Sequence, residues 1–143
     1  MRTAIKLKDF SSLALISMKE SNNLHAICLD SFPSIKYLND CSFHIIKLVN
    51  FINESIYNNN ITCGYTFDAG PNAFLLIEEE NISNILGLFK YVFNTNNNDS
   101  FIMDNLNSNQ KGKLDDFRET ATANNYTIEN CVEFNIGNGP QIL

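Results

Sequence analysis

Two short apolar runs separated by five turn-forming residues constrain this chain more than anything else in it. Ile61 to Phe67 is rich in β-branched and aromatic residues, and Ala73 to Ile77 is continuously apolar. Each is too short for a stable helix and suits a strand. Between them stands Asp68-Ala69-Gly70-Pro71-Asn72, a turn by composition. Strand, turn and strand in that order predict a hairpin. A hairpin buries its apolar face only against something else.

The flanking sequence supplies the cover. Asp9 is a plausible N-cap for a helix running to about Asp30, with Phe10, Leu13, Ala14, Met18, Leu24, Ala26, Ile27 and Leu29 as its apolar residues. Phe32-Pro33-Ser34 breaks it. A second helix opens near Asn39 or Asp40 and runs to about Ile56, with Phe43, Ile46, Leu48, Val49, Phe51 and Ile52 as a broad apolar face. Asn81 can cap a third helix carrying Ile82, Ile85, Leu86, Phe89, Val92 and Phe93. Residues 94–116 are polar and Asn-rich and read as a flexible loop. Cys131 to Ile136 alternates and predicts a last strand. Helices alternating with an antiparallel hairpin point to a two-layer α+β domain, its helices packed on a mainly antiparallel sheet.

Charge and length narrow the function. The 143 residues suit one domain. A net charge of −6 argues against a nucleic-acid partner and against a polybasic membrane surface. No apolar run approaches the roughly 18 to 20 residues of a membrane span. Cys28, Cys41, Cys63 and Cys131 form no CxxC pair, which weakens a zinc or redox reading. With no signal segment they read as reduced, mostly buried thiols of a cytoplasmic protein. The N-x-S/T triplets at Asn53 and Asn60 are chance matches in an Asn-rich chain.

Chemistry centres on GYTFDAGPNA, Gly64 to Ala73. A strand delivers a carboxylate, Asp68, at its end. Ala69 and Gly70 leave the backbone bare, so a ligand can come close, and Pro71 stiffens the turn. That suits a general base held at the tip of a rigid element. The same residues also suit an ordinary turn whose Asp caps local N–H groups, the commoner case. Ser21 and His25 share a helix face; helix packing is their ordinary fate, and a place near the substrate is the alternative. His44 is expected on a helix surface or rim. Glu78-Glu79-Glu80 reads as solvated charge near a helix start rather than a metal site. Gly137 and Gly139 read as a turn, with no following helix to make a phosphate loop. No metal site is expected.

Three blocks in order carry a resemblance that settles the weighting. MKESNNLHAICLDSFPSIKYLND (Met18 to Asp40), GYTFDAGPNA and GNGPQIL (Gly137 to Leu143) are together similar to stretches of the diphosphomevalonate decarboxylase family. The resemblance spans nearly the whole chain. Ser34 stands where the family usually has a second proline, and Gly64 replaces a common alanine. The family belongs to the GHMP kinase-like superfamily. The resemblance implies a ferredoxin-like C-terminal domain. It also implies ATP-dependent decarboxylation of diphosphomevalonate to isopentenyl diphosphate in isoprenoid and sterol biosynthesis, and a homodimer. Asp68 matches the family's aspartate that acts on the substrate's 3-hydroxyl, with Ala69 and Gly70 offering backbone to the substrate. ATP and Mg²⁺ serve the complete enzyme.

What is missing points the same way. No Lys or Arg lies between Lys47 and Lys90, and no Gly/Ser-rich nucleotide loop occurs. Polyphosphates need such groups. The expectation is a C-terminal part with one wall of an active site, the nucleotide-binding half absent. By itself it should bind neither ATP nor substrate. The competing expectation is a non-catalytic α+β binding or interaction module that kept the fold.

Overall fold

The computed structural model describes residues 1–93 and 104–128. The strand expected at Cys131 to Ile136, the tail glycines Gly137 and Gly139, Cys131 and residues 94–103 of the expected loop lie outside the described residues.

Helix α1 (Arg2–Leu7) precedes α2 (Phe10–Asp30). Asp9 caps α2, its side chain accepting from the Ser12 N–H at 3.0 Å, so this helix begins and ends where its sequence signals place it. Helix α3 (Asp40–Phe51) opens with a reciprocal cap between Asn39 and Ser42. It passes into one wider π-helical turn, Ile52–Ile56, closed by the Tyr57 N–H on the Ile52 carbonyl at 3.0 Å. Strands β1 (Cys63–Phe67) and β2 (Ala73–Ile77) pair antiparallel, from Cys63 opposite Ile77 to Phe67 opposite Ala73. A 3₁₀ turn, Glu79–Asn81, leads into α4 (Ile82–Phe93). Asn81 is therefore the last residue of that turn rather than the cap of a freestanding helix.

Helix α5 (Ser108–Ala123) corrects the expectation of a loop through residue 116. Its polarity hid it. Leu114 and Ala121 are its buried residues, seven apart, which gives a stripe only one residue wide. Local chemistry fixes its start instead: the Asn107 side chain accepts from the Gln110 N–H, and the Gln110 side chain accepts from the Asn107 N–H. Gln110 also donates to the Ser55 carbonyl at 2.6 Å, tying α5 to the π-helical turn.

The core lies between the hairpin and the helices. Leu48, Val49, Ile52, Cys63, Phe67, Ile85, Leu88, Val92 and Leu114 are its most deeply buried members. Helix α2 contributes less apolar surface than its sequence promises. Its buried residues are Ala14, Met18, Ser21 and His25, while Leu24, Ile27 and Leu29 are exposed. In α3, Phe43 is exposed and His44 and Ile45 are buried.

Helix α2 runs parallel to β1 along its whole length. The Ser11 hydroxyl donates to the Ile61 carbonyl at 3.1 Å. Ala14 lies against Gly64, where an added Cβ would come within 2.8 Å of the Ala14 Cβ. Ser21 and His25 meet Phe67. The lengths agree: fourteen residues of helix and six of strand each span about 20 Å. Two elements in step over that distance hold the end of the strand in a set place.

Candidate active site

Asp68 is the first residue past the end of β1, and it is exposed. Main chain closes the turn behind it, the Gly70 N–H donating to the Asp68 carbonyl at 2.8 Å. The turn therefore forms without engaging the carboxylate. Ala69 is exposed and Gly70 half-buried. Among the described residues a Cβ at Gly70 would meet nothing within 4 Å, so their packing does not demand glycine there.

The strand end is held from the other side. Ser21 and His25 are both buried, at 4% and 7% exposure. Ser21 Oγ accepts the Phe67 N–H at 3.0 Å. His25 Nε2 lies 3.2 Å from the Phe67 carbonyl oxygen. A carbonyl only accepts, so Nε2 carries a proton and donates. Tyr37 sets its ring edge-on to the imidazole, with centroids 6.3 Å apart. Asn22, next to Ser21, accepts from the Tyr65 hydroxyl at 3.1 Å. Ser21, Asn22 and His25 of α2 thus all reach β1, two of them at the residue just before Asp68.

The opposite end of β1 is held in the same manner. Asn53, in the π-helical turn and 5% exposed, spends its whole amide on two residues. Its Nδ2 donates to the Cys63 carbonyl at 2.7 Å, and its Oδ1 accepts the Thr62 and Cys63 N–H groups at 3.0 and 3.1 Å. Sequence reasoning saw in Asn53 only a chance glycosylation triplet. The available signal was a polar residue in phase with the buried face of α3, just past Val49 and Ile52. The Cys63 thiol beneath this bridge has its pKa raised to about 12 by burial.

His44 corrects another expectation. It is buried rather than on a rim, and its Nε2 donates to the Phe117 carbonyl at 2.9 Å. The rings of Phe93, Phe117 and Tyr126 surround it at 5.2 to 5.7 Å. Burial lowers its pKa below the ordinary 6.5 against the opposing bond from Phe117, and Lys47 lowers it further. It staples α5 to α3. Glu79 and Glu80 are exposed and Glu78 half-buried. Among the described residues no three of His, Cys, Asp and Glu come together as a metal-binding set. Cys63 is buried, and Cys28 and Cys41 are only partly so; all three are free thiols. No helix among the described residues is long and apolar enough to cross a membrane.

An exposed carboxylate on a strand end fixed by buried side chains, with open backbone beside it, is an arrangement that can hold a base against an incoming hydroxyl. The sequence pattern of the mevalonate 5-diphosphate decarboxylase C-terminal domain matches residues 1–143. The chain belongs to that family. It is similar to the diphosphomevalonate decarboxylase of Schizosaccharomyces pombe, with 38% identity over 145 residues that cover 100% of this chain and 34% of that protein. The Eremothecium gossypii diphosphomevalonate decarboxylase is 49% identical over 96 residues, 67% of this chain and 24% of that protein. The solved mevalonate diphosphate decarboxylase from Trypanosoma brucei superposes with a TM-score of 0.65 at 31% identity, over 78% of this chain and 32% of that one. The chain therefore spans about a third of the length of the S. pombe relative. Its α+β architecture is that of the family's C-terminal domain.

Proposed function

We propose that this domain serves as the C-terminal part of an ATP-dependent decarboxylase. The enzyme would convert (R)-5-diphosphomevalonate to isopentenyl diphosphate, CO₂, ADP and phosphate, and Asp68 would act on the 3-hydroxyl. The observation that carries the reading is the exposed Asp68 carboxylate beyond a strand end clamped by Ser21 and His25.

The chemistry asks for a carboxylate there. A tertiary hydroxyl is a poor nucleophile and a poor leaving group. Asp68 orients it and takes its proton as its oxygen attacks the γ-phosphorus of ATP, which releases ADP. The C–O bond then breaks and its electron pair leaves with phosphate. Positive charge grows at the tertiary carbon, and the electrons of the C–CO₂ bond move in to form the alkene as CO₂ departs. A fixed negative charge at Asp68 stabilises that carbon through the second stage. Bare backbone at Ala69 and Gly70 lets the substrate approach.

The rest of the reaction lies with other parts of the enzyme. The stretch around Asp68 has no Lys or Arg from residue 48 to residue 89, so the phosphate groups of both substrates need partners from elsewhere. The described residues do not fit a magnesium site, and no step above passes through a metal ion. The isolated domain is accordingly expected to show no ATP binding by calorimetry and no turnover.

Steady-state kinetics of Asp68→Asn test the reading, in a decarboxylase of the relatives' length that carries this domain. Asn keeps the size and much of the hydrogen bonding, but it neither takes a proton nor carries charge. The expected loss is on the order of 10²- to 10⁴-fold in kcat with little change in KM. Retention of more than about a tenth of kcat, less than about 1.4 kcal/mol, would make Asp68 a turn residue and favour the non-catalytic module.

A further inference from the structure

We infer that Ser21 and His25 are positioning residues that aim the Asp68 carboxylate, with His25 setting the peptide plane through which its backbone enters the site. The inference rests on the reading of Asp68 as the catalytic carboxylate and adds two residues that act through it.

The geometry runs from the planarity of the peptide bond. Asp68 stands between two rigid planes, the Phe67–Asp68 and Asp68–Ala69 peptides. Only its φ and ψ relate them. His25 Nε2–H grips the Phe67 carbonyl, which belongs to the first plane, at 3.2 Å. The Gly70 N–H grips the Asp68 carbonyl, which belongs to the second, at 2.8 Å. The first plane is held from α2, and the second is tied into a turn whose ends are paired, Phe67 opposite Ala73, so the direction of the Cα–Cβ bond that carries the carboxylate is narrowed. Ser21 Oγ takes the Phe67 N–H at 3.0 Å, which holds the plane before these, and donates to the Phe67 carbonyl at 3.4 Å beside His25.

The clamp is placed to be stiff. Both side chains are buried and sit four residues apart on one helix face, packed against the strand they hold. Ala14 and Gly64 press α2 and β1 together at an approach that leaves no room for a Cβ. Asp68 itself is exposed and makes the turn through its main chain alone. Its aim must then come from the backbone, and His25 and Ser21 are the buried groups that supply it. Misplacing a catalytic group by about 1 Å costs on the order of 100-fold, so this hold should show in turnover.

The test uses kinetics of the relatives-length enzyme. His25→Phe keeps the ring and removes the donor, and it should lower kcat on the order of 10- to 100-fold with KM within about twofold. His25→Gln, whose amide can donate from a similar position, should recover most of kcat. Ser21→Ala, a small change that the packing tolerates, should lower kcat in the same sense, and it carries the test if His25→Phe does not fold. Ser11→Ala removes an exposed bond from the same helix to Ile61, just before the far end of the strand, and it should lower the melting temperature slightly without changing kcat. In an Asp68→Asn background, His25→Phe should cost nothing further.

The inference is overturned if His25→Phe and Ser21→Ala leave kcat within twofold of the parent while Asp68→Asn is slow. It is also overturned if Gln does no better than Phe, or if the full loss recurs in the Asp68→Asn background. If Asp68→Asn itself keeps a normal kcat, the reading of Asp68 falls and takes this inference with it, a pattern distinct from failure of the clamp alone.

Discussion

The two ends of β1 are built alike and used differently. At Cys63 the backbone N–H and C=O go to the amide of Asn53. At Phe67 they go to Ser21 and His25. In both places a helix-borne side chain does what a neighbouring strand does elsewhere in a sheet. Beyond that the ends diverge. The Cys63 end is sealed: its thiol is buried, and its pKa is pushed up to about 12. The Phe67 end opens at once onto the exposed Asp68 and Ala69. An anchor is thus no sign of chemistry in itself. What matters is what the anchored backbone presents next.

Three measurements probe that contrast, and the largest effect is expected at the sealed end. Asn53→Ala strips partners from two buried N–H groups and one buried carbonyl. Each such orphan costs about 1 to 3 kcal/mol. With water entry and relaxation recovering part of the sum, a loss of about 3 kcal/mol in unfolding free energy is expected by urea titration. The bound kinetics of Asp68 should stay intact in molecules that remain folded. A kcat loss as large as that of His25→Phe would erase the distinction between the ends.

The middle of the strand should give a smaller effect. Gly64→Ala drives a Cβ to 2.8 Å from the Ala14 Cβ and 3.1 Å from its backbone Cα. One neighbour is backbone, so α2 must move. Overpacking of this kind costs about 1 to 3 kcal/mol. Ala14→Gly in the same molecule should return most of that loss. If Gly64→Ala melts like the parent, α2 and β1 are not in the tight contact that links the two ends.

The smallest effect concerns reactivity. A thiolate is the reacting form, and a pKa near 12 leaves almost none at pH 8. In the folded domain Cys63 should resist iodoacetamide, read by peptide mass mapping, while Cys28 reacts. Burial also raises the Cys41 pKa, and Cys41 should fall between them. Rapid labelling of Cys63 in the native state would show that its end of the strand is open after all.

Much of this fold is legible in the sequence where local chemistry is strong. Asp9 with Ser12, Asn39 with Ser42, and the β-rich runs on either side of Asp68 each place an element boundary by short-range hydrogen bonding or periodicity. The buried face of α2 is harder to read because its spacing is right but its chemistry is mixed. Ala14, Met18, Ser21 and His25 follow a helical stripe, yet two of the four are polar, so a search for apolar residues settles on Leu24, Ile27 and Leu29 instead. Those two polar residues are stable inside only because a strand 42 to 46 residues away offers them backbone groups. No local window contains that information. His44 fails for the same reason, since its acceptor at Phe117 is 73 residues distant. Asp68 is the reverse case: composition alone makes it a turn residue, and only the longer family resemblance gives it a role.

The parallel course of α2 and β1 makes the helix a gauge for the strand. Its contacts at Ser11, Ala14, Ser21 and His25 are counted in residues, and each residue turns the helix by about 100°. One residue inserted between Ala14 and Ser21 would leave the two elements almost the same length but swing Ser21 and His25 off the face that meets Phe67. The carboxylate would lose its aim with no change to its own surroundings. The number of residues in that stretch of helix is therefore set by the strand it lies against.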